Sequence, residues 1–98
     1  MDATLPRNGM PKVSFTANLQ RHVAVPPSVV PGSSVAEALD AVFAEHPLAR
    51  GYVLDEHGAL RYHMIIFIDG EAISDRRHLT DAVGERSEIF VMQALSGG

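Results

Sequence analysis

The chain has 98 residues, 46% of them apolar, which suffices for one domain with a single modest core and is too short for two. It contains no cysteine, so disulfides, thiolate metal sites and a cysteine nucleophile are excluded. A formal net charge of −4 with a single lysine, Lys12, disfavours nucleic acid as a partner, because phosphate binding relies on clustered Lys and Arg.

Residues 1–11 contain Pro6, Gly9 and Pro11 without periodicity and read as a disordered leader ahead of a folded domain over 12–94. Met1 to Asn8 lacks the basic-then-apolar order of a secretory signal, so a cytoplasmic protein is the default expectation. From Lys12 to Leu19, Val13, Phe15, Ala17 and Leu19 alternate with other residues, the two-residue period of a half-buried strand. After Gln20-Arg21, the run from His22 to Val30 predicts a second strand. Pro26-Pro27 makes it an edge or interrupts it, since neither proline can donate to a ladder. The two strands form an N-terminal hairpin.

Pro31-Gly32-Ser33-Ser34 is a turn into a helix. Ser34 with Glu37 has capping-box spacing: the hydroxyl accepts a backbone N–H and the carboxylate returns to the cap. Val35, Ala38, Leu39, Val42 and Phe43 then recur at helical spacing as one apolar stripe. His46-Pro47 ends it, because the residue before proline is pushed out of the helical region. Residues 48–60, with Gly51 and Asp55-Glu56-His57-Gly58, predict a variable loop or small hairpin.

Tyr62 to Ile68 reads as a strong strand, rich in β-branched and aromatic residues. Its apolar stretch, Met64 to Ile68, is too short to span a bilayer. Asp69-Gly70 is a favoured hairpin turn into a short return strand, Glu71-Ala72-Ile73. Residues 74–87 are polar, with Leu79 and Val83 as their anchors, and Gly84-Glu85 makes another turn. Glu88 to Ala94 is the final strand. The order β-β-α-β-β-β belongs to the α+β class: a mixed sheet with one main helix across one face, its first and last strands side by side in the middle.

The end of the chain, residues 95–98, reads as a flexible tail closing on Ser96-Gly97-Gly98. Glycine lacks Cβ, so a Gly-Gly segment can thread a channel too narrow for other residues and present its carboxylate to a partner. The plainer reading is an incidental flexible end. On the last strand Ile89 and Val91 are expected to face the helix, turning Phe90 and Met92 to the opposite face of the sheet. On the neighbouring strand Met64, Ile66 and Ile68 are expected inward, and Ile65 and Phe67 outward. Ile65, Phe67, Phe90 and Met92, with Phe15 or Ala17 beside them, then form an apolar patch of the kind soluble monomers rarely expose without a binding role. A reversed register, or the leader folded over the patch, is the alternative.

Other constellations are weaker. The five histidines, His22, His46, His57, His63 and His78, have no metal-ligand spacing. Arg76-Arg77-His78 fits a solvated loop or a contact with an acidic partner. Asp55-Glu56 and Asp69-Gly70-Glu71 sit in turns, where acidic residues have a conformational role, and Ser33-Ser34 is explained by capping. No Gly-rich phosphate loop is present, so any ATP belongs to a partner.

Taken together, the N-terminal hairpin, the capped helix from Ser34 to His46, Ile66-Phe67-Ile68-Asp69-Gly70-Glu71, the Leu79/Val83 segment, the turn into the last strand and Gly97-Gly98 resemble the ubiquitin-like β-grasp sulfur-carrier family. That family includes the small subunit of molybdopterin synthase and the carriers of the thiamine and cysteine pathways. The resemblance covers about residues 12–98. This chain departs from many members in having Gln93-Ala94-Leu95-Ser96, without proline, before the diglycine, and in a longer leader and 48–60 segment.

The resemblance implies a carrier rather than an enzyme, with no catalytic residue, metal or bound cofactor of its own. A ubiquitin-activating-like adenylyltransferase would use MgATP to adenylate Gly98. A sulfur donor would then displace AMP to leave a thiocarboxylate, for delivery to an acceptor synthase subunit or enzyme. Gly97 and Ser96 would lie in the partner's channel. A protein modifier conjugated through Gly98, and a plain β-grasp interaction domain, are the competing readings.

Overall fold

The structure is a computed structural model that describes residues 10–16 and 25–93. Along the chain these form β1 (Lys12–Phe15), β2 (Ser28–Val29), α1 (Val35–Glu45), α2 (Pro47–Val53), β3 (Met64–Ile68), β4 (Glu71–Ala72) and β5 (Glu88–Gln93). The five strands make one mixed sheet in the order β2-β1-β5-β3-β4. β1 and β5 run parallel at its centre, with Val13 opposite Ile89 and Phe15 opposite Val91. The other pairs, β1 with β2, β5 with β3 and β3 with β4, are antiparallel. This is the β-grasp arrangement implied by the sequence, with the first and last strands adjacent.

The hydrophobic stripe of α1 decides which face of the sheet it covers. Val35, Ala38, Leu39, Val42 and Phe43 are all buried, in one cluster with Val13, Met64, Ile66, Ile89 and Val91. Each such aliphatic side chain contributes about 1.5–3 kcal/mol on burial, which outweighs the sub-kilocalorie strand and helix propensities that set the elements locally. The N-terminus of α1 is capped by the Ser34 hydroxyl, which accepts from the Glu37 N–H at 3.2 Å. The Glu37 carboxylate goes one residue further back than the capping-box expectation, accepting from the Ser33 N–H at 2.8 Å and the Ser33 hydroxyl at 3.0 Å. Those bonds hold it below the ordinary carboxylate pKa.

Two expectations are corrected. The loop predicted over 48–60 begins as a helix. Pro47 does force His46 out of the helical region (φ −133°, ψ 67°) and ends α1, yet proline is well suited to a first helical position and so opens α2. Ala49 and Val53, one turn apart, bury that helix against the core. Only then does the small hairpin appear, as a single bridge between Leu54 and Leu60 closed by Asp55, whose carboxylate accepts from the N–H groups of His57 and Ala59. The strands are also shorter than their patterns suggested. β2 contains only Ser28 and Val29, directly after Pro26-Pro27, and β3 begins at Met64 because Tyr62 and His63 form a turn. Residues 17–24, over which the first hairpin was extended, and Ala94 lie outside the described residues.

The Asp69-Gly70 turn has both residues at positive φ (50° and 89°), the mirror-image geometry that matches strand twist in two-residue hairpins. Between β4 and β5 the chain is held by carboxylates rather than by regular structure. The Asp81 carboxylate accepts from the N–H groups of Ser74 and Asp75, and Asp75 accepts from those of Arg77 and His78. Thus braced, the loop buries Leu79 and Val83. It also turns the carbonyls of Leu79 and Asp81 onto the N–H groups of Ala36 and Val35 at the start of α1.

Candidate functional site

The two faces of the sheet differ because side chains alternate along every strand. On the face away from α1, cross-strand pairing sets Phe67 opposite Phe90 and Ile65 opposite Met92. β1 and β4 extend the Phe67–Phe90 row with Ser14 and Ala72. Phe90 is 44% exposed, and Ile65, Phe67 and Met92 are half-buried. Ile89 and Val91 point the other way and are fully buried, so the register is the one the sequence predicted. The four outward residues form two adjacent rows, and aromatic and branched cross-strand pairs of this type contribute roughly 0.2–1 kcal/mol each to the sheet.

Phe15 does not join this patch. Parity along β1 turns Val13 and Phe15 to the core, where Phe15 is 6% exposed, and leaves Lys12 and Ser14 outward. Ala17, the other suggested member, lies outside the described residues, as do Ser96, Gly97 and Gly98.

The patch has a polar border on one side. Lys12 and Glu88 are exposed neighbours on adjacent strands, with Val29 next to Lys12 on β2. The Met92–Ile65 row lies at the opposite end, next to the pair Gln93–Met64, where β5 passes into residues 94–98. Tyr62, read as part of the strand, stands at this same end in the turn before β3, 92% exposed and edge-on to His63 at 5.5 Å. A break in alternation between Arg61 and His63 was the available signal for that turn, outweighed by the aromatic and β-branched composition of the segment.

No three His, Asp or Glu side chains gather as a metal site among the described residues, and no helix among them is long and apolar enough to cross a membrane. Among the described residues, the most perturbed carboxylate is that of Asp75, held at a pKa of about 2 by hydrogen bonds from the Thr80 hydroxyl and surrounding backbone N–H groups. These bonds close its own loop, so the perturbation is structural.

No family model and no curated protein matches the sequence. Solved structures do match the fold. SAMP1 from Haloferax volcanii is 29% identical, with 92% of this chain and 100% of that chain covered at a TM-score of 0.73. Small archaeal modifier protein 1 from Methanosarcina acetivorans is 21% identical over 95% of this chain and 100% of its own, TM-score 0.76. CysO of Amycolatopsis orientalis, in its complex with BexX, is 20% identical over 90% and 99%, TM-score 0.76. The last two speak to the fold alone. The fold they share with this chain is a ubiquitin-like β-grasp.

Proposed function

We propose that this chain, whose fold and neighbours are those of the ubiquitin-like β-grasp sulfur-carrier family, carries sulfur on the carboxylate of Gly98. The observation that supports this most is a joint one: near-complete coverage of SAMP1 at 29% identity, together with a Gly-Gly pair a few residues past the central strand. A free carboxylate has a pKa of roughly 3.3–3.7, is anionic at neutral pH and is a poor electrophile. In the proposed sequence a partner positions it against MgATP, its oxygen attacks the α-phosphorus and pyrophosphate leaves. Sulfur at the oxidation level of hydrosulfide then attacks the acyl carbon; AMP leaves, and Gly98 ends as a thiocarboxylate. The chain supplies position and a reactive end; the partner supplies the catalytic groups. Ser96 and Gly97 are proposed to lie in the partner's channel, and Ile65, Phe67, Phe90 and Met92 to form the docking patch. Delivery to molybdopterin, thiamine or cysteine synthesis are the outlets the resemblance offers.

A second reading has its own support, since the 29% identical neighbour carries the name SAMP1, which another structure spells out as small archaeal modifier protein 1. In that reading a lysine amine of a target protein attacks the acyl carbon of the same adenylate, AMP leaves and an isopeptide forms. Both readings share the activation step, which pyrophosphate exchange tests. Purified chain is added to host extract with MgATP and labelled pyrophosphate, and label is followed into ATP. Chain-dependent exchange that disappears on deleting Gly98 supports activation; exchange that is the same with Gly98 deleted refutes it.

A further inference from the structure

Four of the chain's seven arginines meet on a surface that the sulfur-carrier reading does not use. Arg50 leaves the last turn of α2, Arg61 follows the Leu54–Leu60 bridge, and Arg76 and Arg77 belong to the turn after Asp75. Backbone contacts hold these segments together. The Leu60 N–H donates to the Arg76 carbonyl at 2.8 Å, the Arg76 guanidinium to the Arg61 carbonyl at 2.9 Å, and Arg61 Nε to the Gly51 carbonyl at 2.8 Å. A methyl group placed on Gly58 would lie 3.6 Å from the Arg50 guanidinium, so the loop and Arg50 are also close. His57, Arg77 and His78 line a cavity of roughly 330 Å³ in the same region, together with Asp55 and Ala59.

The nearby carboxylates offset this positive charge only in part: Asp55 is held below the ordinary carboxylate range chiefly by the N–H groups of Ala59 and His57, with smaller contributions from the charges of His57 and Arg61. Asp55 and Asp75 are turned toward backbone N–H groups of their own loops. Among the described residues, no ion pair joins any of the four guanidiniums to a carboxylate. In a chain of net charge −4 they are therefore concentrated against their mutual repulsion. Guanidinium is weakly hydrated and matches carboxylates in a bidentate fork, which suits it to protein interfaces. The cations span a helix end and two loops and are not focused into one pocket, and the cavity beside Arg77 has a carboxylate in its wall. Carboxylates spaced along a protein chain fit that layout better than a single phosphate group does. Arg61 reaches α2, which packs on the core side of the sheet, so this surface is separate from the Phe67–Phe90 face.

We propose that the Arg50–Arg61–Arg76–Arg77 surface docks an acidic segment of a partner protein, independently of the apolar sheet face and of any chemistry at Gly98. The test is an amide-resolved NMR titration of the full chain with a synthetic Glu-rich peptide. Expected shifts are confined to residues 50–61 and 76–78, and affinity falls about tenfold or more between about 50 mM and 300 mM salt. Arg50→Glu with Arg77→Glu spares the carbonyl contacts of Arg61 and Arg76 and should cost at least about tenfold in affinity, roughly 1.4 kcal/mol. Lys12→Glu with Arg86→Glu, the same charge change at another place, should leave affinity within about twofold of wild type. Should the Glu pair perturb the fold, Arg50→Gln with Arg77→Gln carries the same comparison. Diffuse or absent shifts, or equal losses in the two charge-reversed pairs, would overturn the proposal. So would tripolyphosphate or an oligonucleotide moving these amides while the peptide does not.

Discussion

The Asp75 carboxylate accepts from the N–H groups of Arg77, His78 and Thr80 and from the Thr80 hydroxyl, and its folded pKa is about 2. An unfolded aspartate titrates near about 3.9. Because the folded value is the lower, this stabilisation is fully present above the unfolded value and is lost as pH falls through about 4 toward 2. Thermal melts of wild type and Asp75→Asn between neutral and acid pH should show the variant less stable at neutrality, the gap closing at the acid end. A gap that stays constant with pH would mean the carboxylate's charge is irrelevant to the loop. Gly32 makes a different single-residue demand. It sits at φ 148°, and a Cβ there would be 2.6 Å from the Ala38 backbone nitrogen in the first turn of α1. Gly32→Ala should destabilise by about 2 kcal/mol or more, measured by urea denaturation, since backbone cannot yield as a side chain can. The sequence marked Gly32 as part of a turn and left Asp75 within a polar stretch. It did not show what each one meets, because the bonds Asp75 accepts from residues 77–80 and the approach of Gly32 to Ala38 follow neither a helix nor a strand period.

At the scale of elements, α1 was legible apart from the reach of Glu37 to Ser33: a capping serine, a five-residue apolar stripe and a proline stop are all local signals, and each is realised. Ser34→Ala should therefore cost about 1 kcal/mol and lower Tm by about 4–8 °C in a domain of this size. A calorimetric scan checks it, and an unchanged Tm would assign the capping to the Leu79 and Asp81 carbonyls alone. α2 was not legible, because the proline that stops one helix is also an acceptable first residue of the next, and Gly51 and Tyr52 hide the Ala49–Val53 spacing. β3 was overextended for a similar reason: the composition of Tyr62 and His63 favours a strand, whereas Met64 is the first residue with a ladder partner, Gln93. The 74–83 loop was anchored correctly on Leu79 and Val83. Its dependence on Asp75 and Asp81 could not be read, since carboxylate-to-backbone bonds leave no periodic trace.

Across the whole molecule, two-residue alternation was enough to divide the sheet into a core face and an outward face. It set Ile65, Phe67, Phe90 and Met92 on one side without any knowledge of strand order. Among the described residues, the suggested patch member that fails is Phe15, whose own strand has the parity that points it inward. If this outward face docks the activating partner, Phe90→Asp and Met92→Asp should each reduce loading of Gly98 at least about tenfold, since a charge is placed in an apolar contact. The accompanying loss of stability should stay near about 1 kcal/mol, the scale of a cross-strand pair. Deleting Gly98 should instead abolish loading while changing stability by no more than about 0.5 kcal/mol. Comparing the three variants by loading yield and urea melts separates docking from chemistry; normal loading in both patch variants would remove the sheet face from the interface.

The most direct measurement is intact mass spectrometry of the protein recovered from its own host, with its C-terminal peptide fragmented. A sulfur carrier shows Gly98 as the terminal residue, with one oxygen of its carboxylate replaced by sulfur in part of the population. Gly98 found only in amide linkage to a lysine of another protein, or followed by further residues in the mature protein, would contradict sulfur carriage at this position.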